Sequence, residues 1–155
     1  ERIAGFSITV PQVYRVNEPE VGVFVFRNDQ PSPSELIRQV VVTSRPNEEV
    51  EMTPEAAFAW RAEVAARTTT PPQVTDSLHS GDANLMHHNR PAVQAQGTWI
   101  NAPGEWPAAG PVLTRMVQCD DRTFLVDGWI YAPGRPKYEY MVQIQTLQNS
   151  FRCAE

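Results

Sequence analysis

Apolar and polar residues alternate along much of the chain, and the period changes at a few sharp places. Phe6, Ile8 and Val10 alternate with Ser7 and Thr9, and after Pro11 the period of two resumes over residues 13–16. Residues 21–26 form a second predicted strand, ended by the turn chemistry of Asn28-Asp29-Gln30-Pro31. A third covers residues 37–43, where three consecutive valines favour a pleated surface over a helix. Its unbroken apolar run predicts a strand covered on both faces. The β pattern returns over residues 92–100, 111–118 and 123–131. The short connector Cys119-Asp120-Asp121-Arg122 predicts that the last two pair as an antiparallel hairpin.

Two stretches change to a helical period. Thr53-Pro54-Glu55 is a start signal: Thr53 caps free N–H groups, Pro54 has its φ preset, and Glu55 complements the positive helix end. Phe58, Ala62 and Ala65 then share one face with Val64 nearby, predicting a helix over 53–67. A second is predicted over 136–151, opened by Pro136 and striped by Tyr140, Ile144, Leu147 and Phe151. Between 68 and 91 the chain is polar and lacks a clear period. It reads as a long loop with a short strand near 84–87, a length that is uncommon unless functional. Strands, helix, strands, helix with hairpin-length connections predict one α+β domain over 1–155, a mainly antiparallel sheet packed with two principal helices.

Composition narrows the classes. Eight Gly and 14 Pro in 155 residues fall well short of the low-complexity share of roughly 25–30%. Thirteen basic against 18 acidic residues give a net charge of -5, which speaks against a nucleic-acid partner. The longest clean apolar run, residues 21–26, is far below the roughly 18 residues of a membrane span. The single lysine, Lys137, lies outside any phosphate-cradling motif, and no G-x-S-x-G or G-x-G-x-x-G is present, so no cofactor is expected. The chain opens at Glu1 without Met or a leader pattern and is expected to be processed or excised from a longer one.

Few residues offer chemistry. His79, His87 and His88 all lie in the 68–91 stretch with Asp76 and Asp82, a density that could hold a transition metal. The spacing matches no zinc signature, adjacent His87 and His88 would face opposite ways in an extended chain, and a polar surface loop fits equally. Asp120 and Asp121 suit a hairpin tip. Asp127, inside a strand, could pair with Arg115 across the hairpin. Trp106, beside Glu105 in the loop Asn101-Ala102-Pro103-Gly104-Glu105-Trp106-Pro107, has few neighbours to bury an indole. It is either a protein-contact anchor, with Glu105, or a lid on the core. Trp60, Trp99 and Trp129 lie on periodic elements and belong to the core or its edge.

Two cysteines permit one bridge. A strand over 123–131 rises about 30 Å, and a helix over 136–151 returns about 24 Å. That brings Cys153 back beside Cys119 and predicts a disulfide over two free thiols. Closing a loop of about 34 residues stabilises a fold by roughly 3–4 kcal/mol, and the bridge implies an oxidising compartment.

Gly97-Thr98-Trp99, Gly110-Pro111-Val112 and Asp127-Gly128-Trp129-Ile130-Tyr131-Ala132-Pro133, closed by an amphipathic helix, carry a family resemblance. They resemble the C-terminal half of a Bacteroidota envelope lipoprotein family known only as a domain of unknown function. The opening Phe6-Ser7-Ile8-Thr9-Val10-Pro11 with Tyr14 also fits its start. The resemblance is specific over 97–151 and loose over 27–90; Val112 departs from an expected aromatic, and both cysteines are additions. It implies a lipid anchor upstream, a missing N-terminal half and an extracytoplasmic site in the periplasm or outer-membrane envelope. At a coarser level the element order resembles the PsbP-like α/β/α sandwich, whose members bind other proteins.

These readings converge on a non-enzymatic cell-envelope domain acting as a protein-binding or accessory subunit of a larger assembly. The alternative is a small-ligand or metal-binding module using His79, Asp82, His87 and His88, with weak hydrolysis as its extreme. A deep pocket holding His79 or His88 with Asp82 favours the alternative, and a flat or convex surface centred on Trp106 with no pocket favours the first.

Overall fold

The computed structural model of the chain describes residues 2–3, 5–30 and 35–155. In chain order the elements are β1 (Arg2–Ile3), β2 (Phe6–Ser7), β3 (Arg15–Glu20), β4 (Val23–Asn28), β5 (Ile37–Pro46), a 3-10 turn (Asn47–Glu49), α1 (Pro54–Thr68), β6 (Gln73–His87), β7 (Arg90–Asn101), β8 (Ala109–Gln118), β9 (Arg122–Tyr131), α2 (Tyr138–Asn149) and β10 (Arg152–Cys153). Seven strands form one sheet in the order β3-β4-β5-β9-β8-β7-β6, and β1-β2-β10 form a small second sheet. All pairs are antiparallel. This is the α+β architecture that the pattern predicts.

The valine run of β5 shows how the core divides. Val40, Val41 and Val42 are all buried, and successive side chains on a strand point to opposite faces. Val40 and Val42 join Phe26, Val126, Ile144 and Leu147 on the α2 side. Val41 joins Phe58, Trp60, Val64, Met116 and Leu125 on the α1 side. A helix therefore covers each face of the large sheet.

Helix α1 begins as its signal requires, with Thr53 Oγ1 accepting from Ala56 N at 3.1 Å. Its buried face is Ala57, Phe58, Trp60, Arg61, Val64 and Ala65. The stripe is rotated from the expected 58-62-65 line because Arg61 occupies its centre. Helix α2 is shorter than the predicted 136–151. Its entry is a turn in which Lys137 Nζ donates to Ala132 O (2.9 Å) and Arg135 O (2.8 Å). Phe151 leaves the helix but stays fully buried. The first strand is also shorter than its pattern: only Phe6–Ser7 pair, while Ile8 packs into the core from extended chain.

The largest correction concerns residues 68–91. They are not a loop: β6 runs 15 residues, Gln73–His87, along the edge of the sheet and turns into β7 through His88-Asn89. Both turn residues have positive φ, 49° and 65°, the backbone of a two-residue type I′ hairpin. The register of β6 shifts at three places, and each bulge breaks the period of two.

Cys119 and Cys153 are bonded, with Cα atoms 5.8 Å apart across 34 residues. The bridge ties β10 to the end of β8. Beside it Phe6, Phe24, Phe124 and Phe151 form an aromatic cluster with centroids 5.4–5.7 Å apart. Among the described residues no helix is long and apolar enough to cross a membrane.

Candidate functional site

Helix α1, 15 residues long, spans about 22 Å, whereas the ten-residue strands β8 and β9 span about 33 Å. The sheet face beyond the end of α1 is thus left without a helix. There a cleft of about 260 Å³ opens between Thr69–Pro71, the start of β5 and the β7–β8 loop. Its walls are aromatic: Trp99, Trp106, Trp129 and Tyr131, with Gln73, Asn101 and Arg27 as the polar lining.

Each wall residue is held. Trp99 and Trp129 meet edge-to-face at 5.3 Å, and Trp99 Nε1 donates to Ile130 O at 3.0 Å. Gly110 makes this possible, because a Cβ there would collide with Ile130 O and the Trp99 ring. Trp106 is 55% exposed and stands edge-to-face on Tyr131 at 6.0 Å. Its loop is fastened by Asn101 Nδ2 donating to Trp106 O (2.8 Å) and by Ala102 N donating to Pro72 O (2.8 Å). Glu105 does not line this cleft; it is exposed beside Trp106, in the turn closed by its N–H on Ala102 O.

Behind the cleft lies a buried ion pair. Arg61 Nε donates to Asp127 Oδ2 at 3.1 Å, and Thr114 Oγ1 donates to Asp127 Oδ1 at 2.7 Å. Arg61 Nη2 donates to Oε1 of Gln73 at 2.5 Å, holding that side chain against the cleft. Burial pushes the Asp127 carboxyl above its ordinary value, opposed by Arg61 and the Thr114 hydroxyl. Arg61 has no exposed surface, so a neutral Asp127 would strand its charge. Arg61 Nη1, Gln39 Nε2 and Thr75 Oγ1, all on this side of the sheet, are buried without a protein partner, which is uncommon in native folds.

Asp127 thus pairs with Arg61, not with Arg115: Thr114 is opposite Asp127, and Arg115 points to the other face. The four residues considered for a metal are not brought together. His79 meets Thr98 Oγ1 at 2.8 Å on the exposed strand, and Asp82 Oδ1 caps Asn84 N at 2.9 Å. His87 and His88 instead both reach α2, their Nε2 atoms 2.7 Å from Phe151 O and Asn149 O. They lie on one side together, rings 4.5 Å apart, because His88 leaves the strand for the left-handed turn. Among the described residues no group of three or more His, Cys, Asp and Glu side chains is placed to hold a metal. The surface at Trp106 is not the flat one expected: it is a pocket, without a histidine, while His88 and His79 line two other pockets, neither of which includes Asp82. Of the cleft's walls, only Trp106 stood out in the sequence as a contact residue. Trp99 and Trp129 read as core or core-edge and Tyr131 only as a strand residue, and folding shows that all three line the cleft.

The model of a family described as a domain of unknown function, DUF4837, matches residues 1–150. The chain belongs to this family. The match to DUF4837 extends through residues 27–90, where the motif resemblance is loose. A crystal structure from Bacteroides thetaiotaomicron VPI-5482 is similar in fold, with a TM-score of 0.52 at 10% identity. That likeness covers 97% of this chain and 45% of the other, so this DUF4837 chain spans less than half of that protein's length. No curated protein matches the sequence.

Proposed function

We propose that the chain is a non-enzymatic binding domain of the cell envelope that holds a partner protein through the Trp106 cleft. The observation that carries this is a half-exposed indole standing over a cavity walled by Trp99, Trp129 and Tyr131. Large aromatics that are partly exposed yet fixed in place anchor interfaces at little entropic cost. At about 260 Å³ the cleft is below the usual 300–1,000 Å³ of small-molecule sites, and fits one large apolar side chain. Its lining offers no His, Asp, Glu, Cys, Ser or Lys; its hydroxyls are those of Thr69, Thr70 and Tyr131, and Thr69 Oγ1 is held by donating to Ala65 O at 2.7 Å. The disulfide supports an oxidising, extracytoplasmic compartment, as does the envelope-lipoprotein resemblance.

The test is affinity capture from the native envelope fraction with wild-type chain, Trp106→Ala, and Tyr138→Ala as an exposed control that does not line the cleft. Proteins retained by wild type and by Tyr138→Ala but lost with Trp106→Ala are expected. Equal retention by all three chains would contradict the reading.

A further inference from the structure

On the opposite face of the sheet, under the tip of the β6–β7 hairpin, Arg115 carries a charge inward to 9% exposure. Its Nε and Nη2 donate to Gln94 Oε1 at 3.3 and 2.8 Å. Its Nη1 donates to Asn149 Oδ1 at 2.7 Å and to His87 Nδ1 at 3.3 Å. All three partners are neutral. The ion pairs lie elsewhere, and among the described residues no carboxylate pairs with this guanidinium. Burial lowers its pKa, and no charged neighbour opposes that shift.

The C-terminus of α2 does not supply the missing charge, because its last carbonyls already accept hydrogen bonds. Thr146 O and Leu147 O accept from Ser150 N, and Gln148 O from Phe151 N. Asn149 O and Phe151 O accept from the two histidines. Of the five N–H groups of a guanidinium, one on Nη2 remains without an acceptor among the described residues. Arg115 lines a pocket of about 310 Å³ with Leu85, Met86, His87, His88, Ala92 and Asn149. Arg152 acts on His87 as a further positive neighbour. Every charged or titratable group named around this pocket is basic, and buried charge is tolerated when paired.

We propose that this pocket binds a small oxyanion-bearing ligand, a carboxylate or a phosphate, on Arg115, with His88 and Asn149 at its mouth. The remaining Nη2 N–H of Arg115 can donate one charge-assisted hydrogen bond to either oxyanion. The pocket exceeds a bare ion, and Leu85, Met86 and Ala92 give it an apolar side for a short stem.

Calorimetric titration with inorganic phosphate, acetate and butyrate, each at ionic strength fixed with sodium chloride, tests this. Saturable binding of at least one probe is expected. A gain of butyrate over acetate would assign the ligand as a short-chain carboxylate, and phosphate alone would assign it as a phosphate compound. Arg115→Met should remove the binding. Should that variant fail to fold, Asn149→Ala, at an exposed helix end, should weaken binding at least threefold. No saturable heat from any probe overturns the proposal. Binding that survives Arg115→Met, or that Asn149→Ala leaves unchanged, overturns it as well.

Discussion

Asp127 and Arg61 share one buried contact, and each depends on the other. With both side chains essentially out of water, the pair's attraction mainly offsets its own desolvation, and removing one member leaves an orphan charge. Arg61→Leu or Asp127→Leu alone is therefore expected to cost about 3–5 kcal/mol in urea unfolding, and the double replacement distinctly less than the sum. Additive losses would show that the two are not coupled. His87 is the second residue whose charge state matters. A carbonyl can only accept, so Nε2 carries the proton shared with Phe151 O, and Nδ1 accepts from Arg115. Burial first, and then Arg115, His88 and Arg152, lower its pKa, against the Phe151 carbonyl that raises it. The unfolded chain then binds this proton more readily than the folded one. The contribution of neutral His87 is complete above its unfolded value of 6.5 and is lost as pH falls from there toward the folded pKa. Thermal melts from about pH 7.5 to 5 should show a falling midpoint, and His87→Gln should flatten that fall. An unchanged slope would remove His87 as its source. Neither role was legible from the sequence. Arg61 reads as an interruption of an apolar stripe, and the partner of Asp127 lies 66 positions away on another element.

Strands with both faces covered were legible because alternation and β-branched runs record burial directly. The run Val40-Val41-Val42 is the clearest instance, with side chains divided between two cores. Strand β6 was not legible for the converse reason. It is an edge strand, most of its side chains face solvent, and its three bulges, at Asp76, His79 and Ala83-Asn84, suit an edge that must resist pairing with other chains. Nothing in it needs a hydrophobic period. The motif glycines were visible as motifs, but their purpose lies between elements. At Gly128 a Cβ would collide with the Ile144 side chain of α2, so strand and helix approach closely there. Gly128→Ala should destabilise by about 1–3 kcal/mol, and a compensating Ile144→Val should recover part of it. A neutral Gly128→Ala would show that the sheet and α2 are not packed this tightly.

For the whole molecule, the single covalent tie joins the end of β8 to the last strand, and the length of the intervening elements was enough to anticipate it. Cys119→Ser/Cys153→Ser should lower unfolding stability by roughly 3–4 kcal/mol, with little change in the Trp99–Trp129 near-ultraviolet dichroism because the bridge is remote from that pair. A loss of that signal would mean that the small sheet also shapes the cleft. The fold is a sheet with a helix on each face, with one helix ending short and exposing aromatic walls. Trp106 was legible as a loop indole without neighbours, but the cleft was not, since its lining comes from five separate stretches of chain. Photocrosslinking in the native cell, with a photoreactive residue at position 105, next to Trp106 in the chain, or at position 138 on α2, tests the central claim most directly. A discrete protein adduct from position 105 and none from 138 is the predicted result; adducts from 138 alone, or none from 105, would contradict the account.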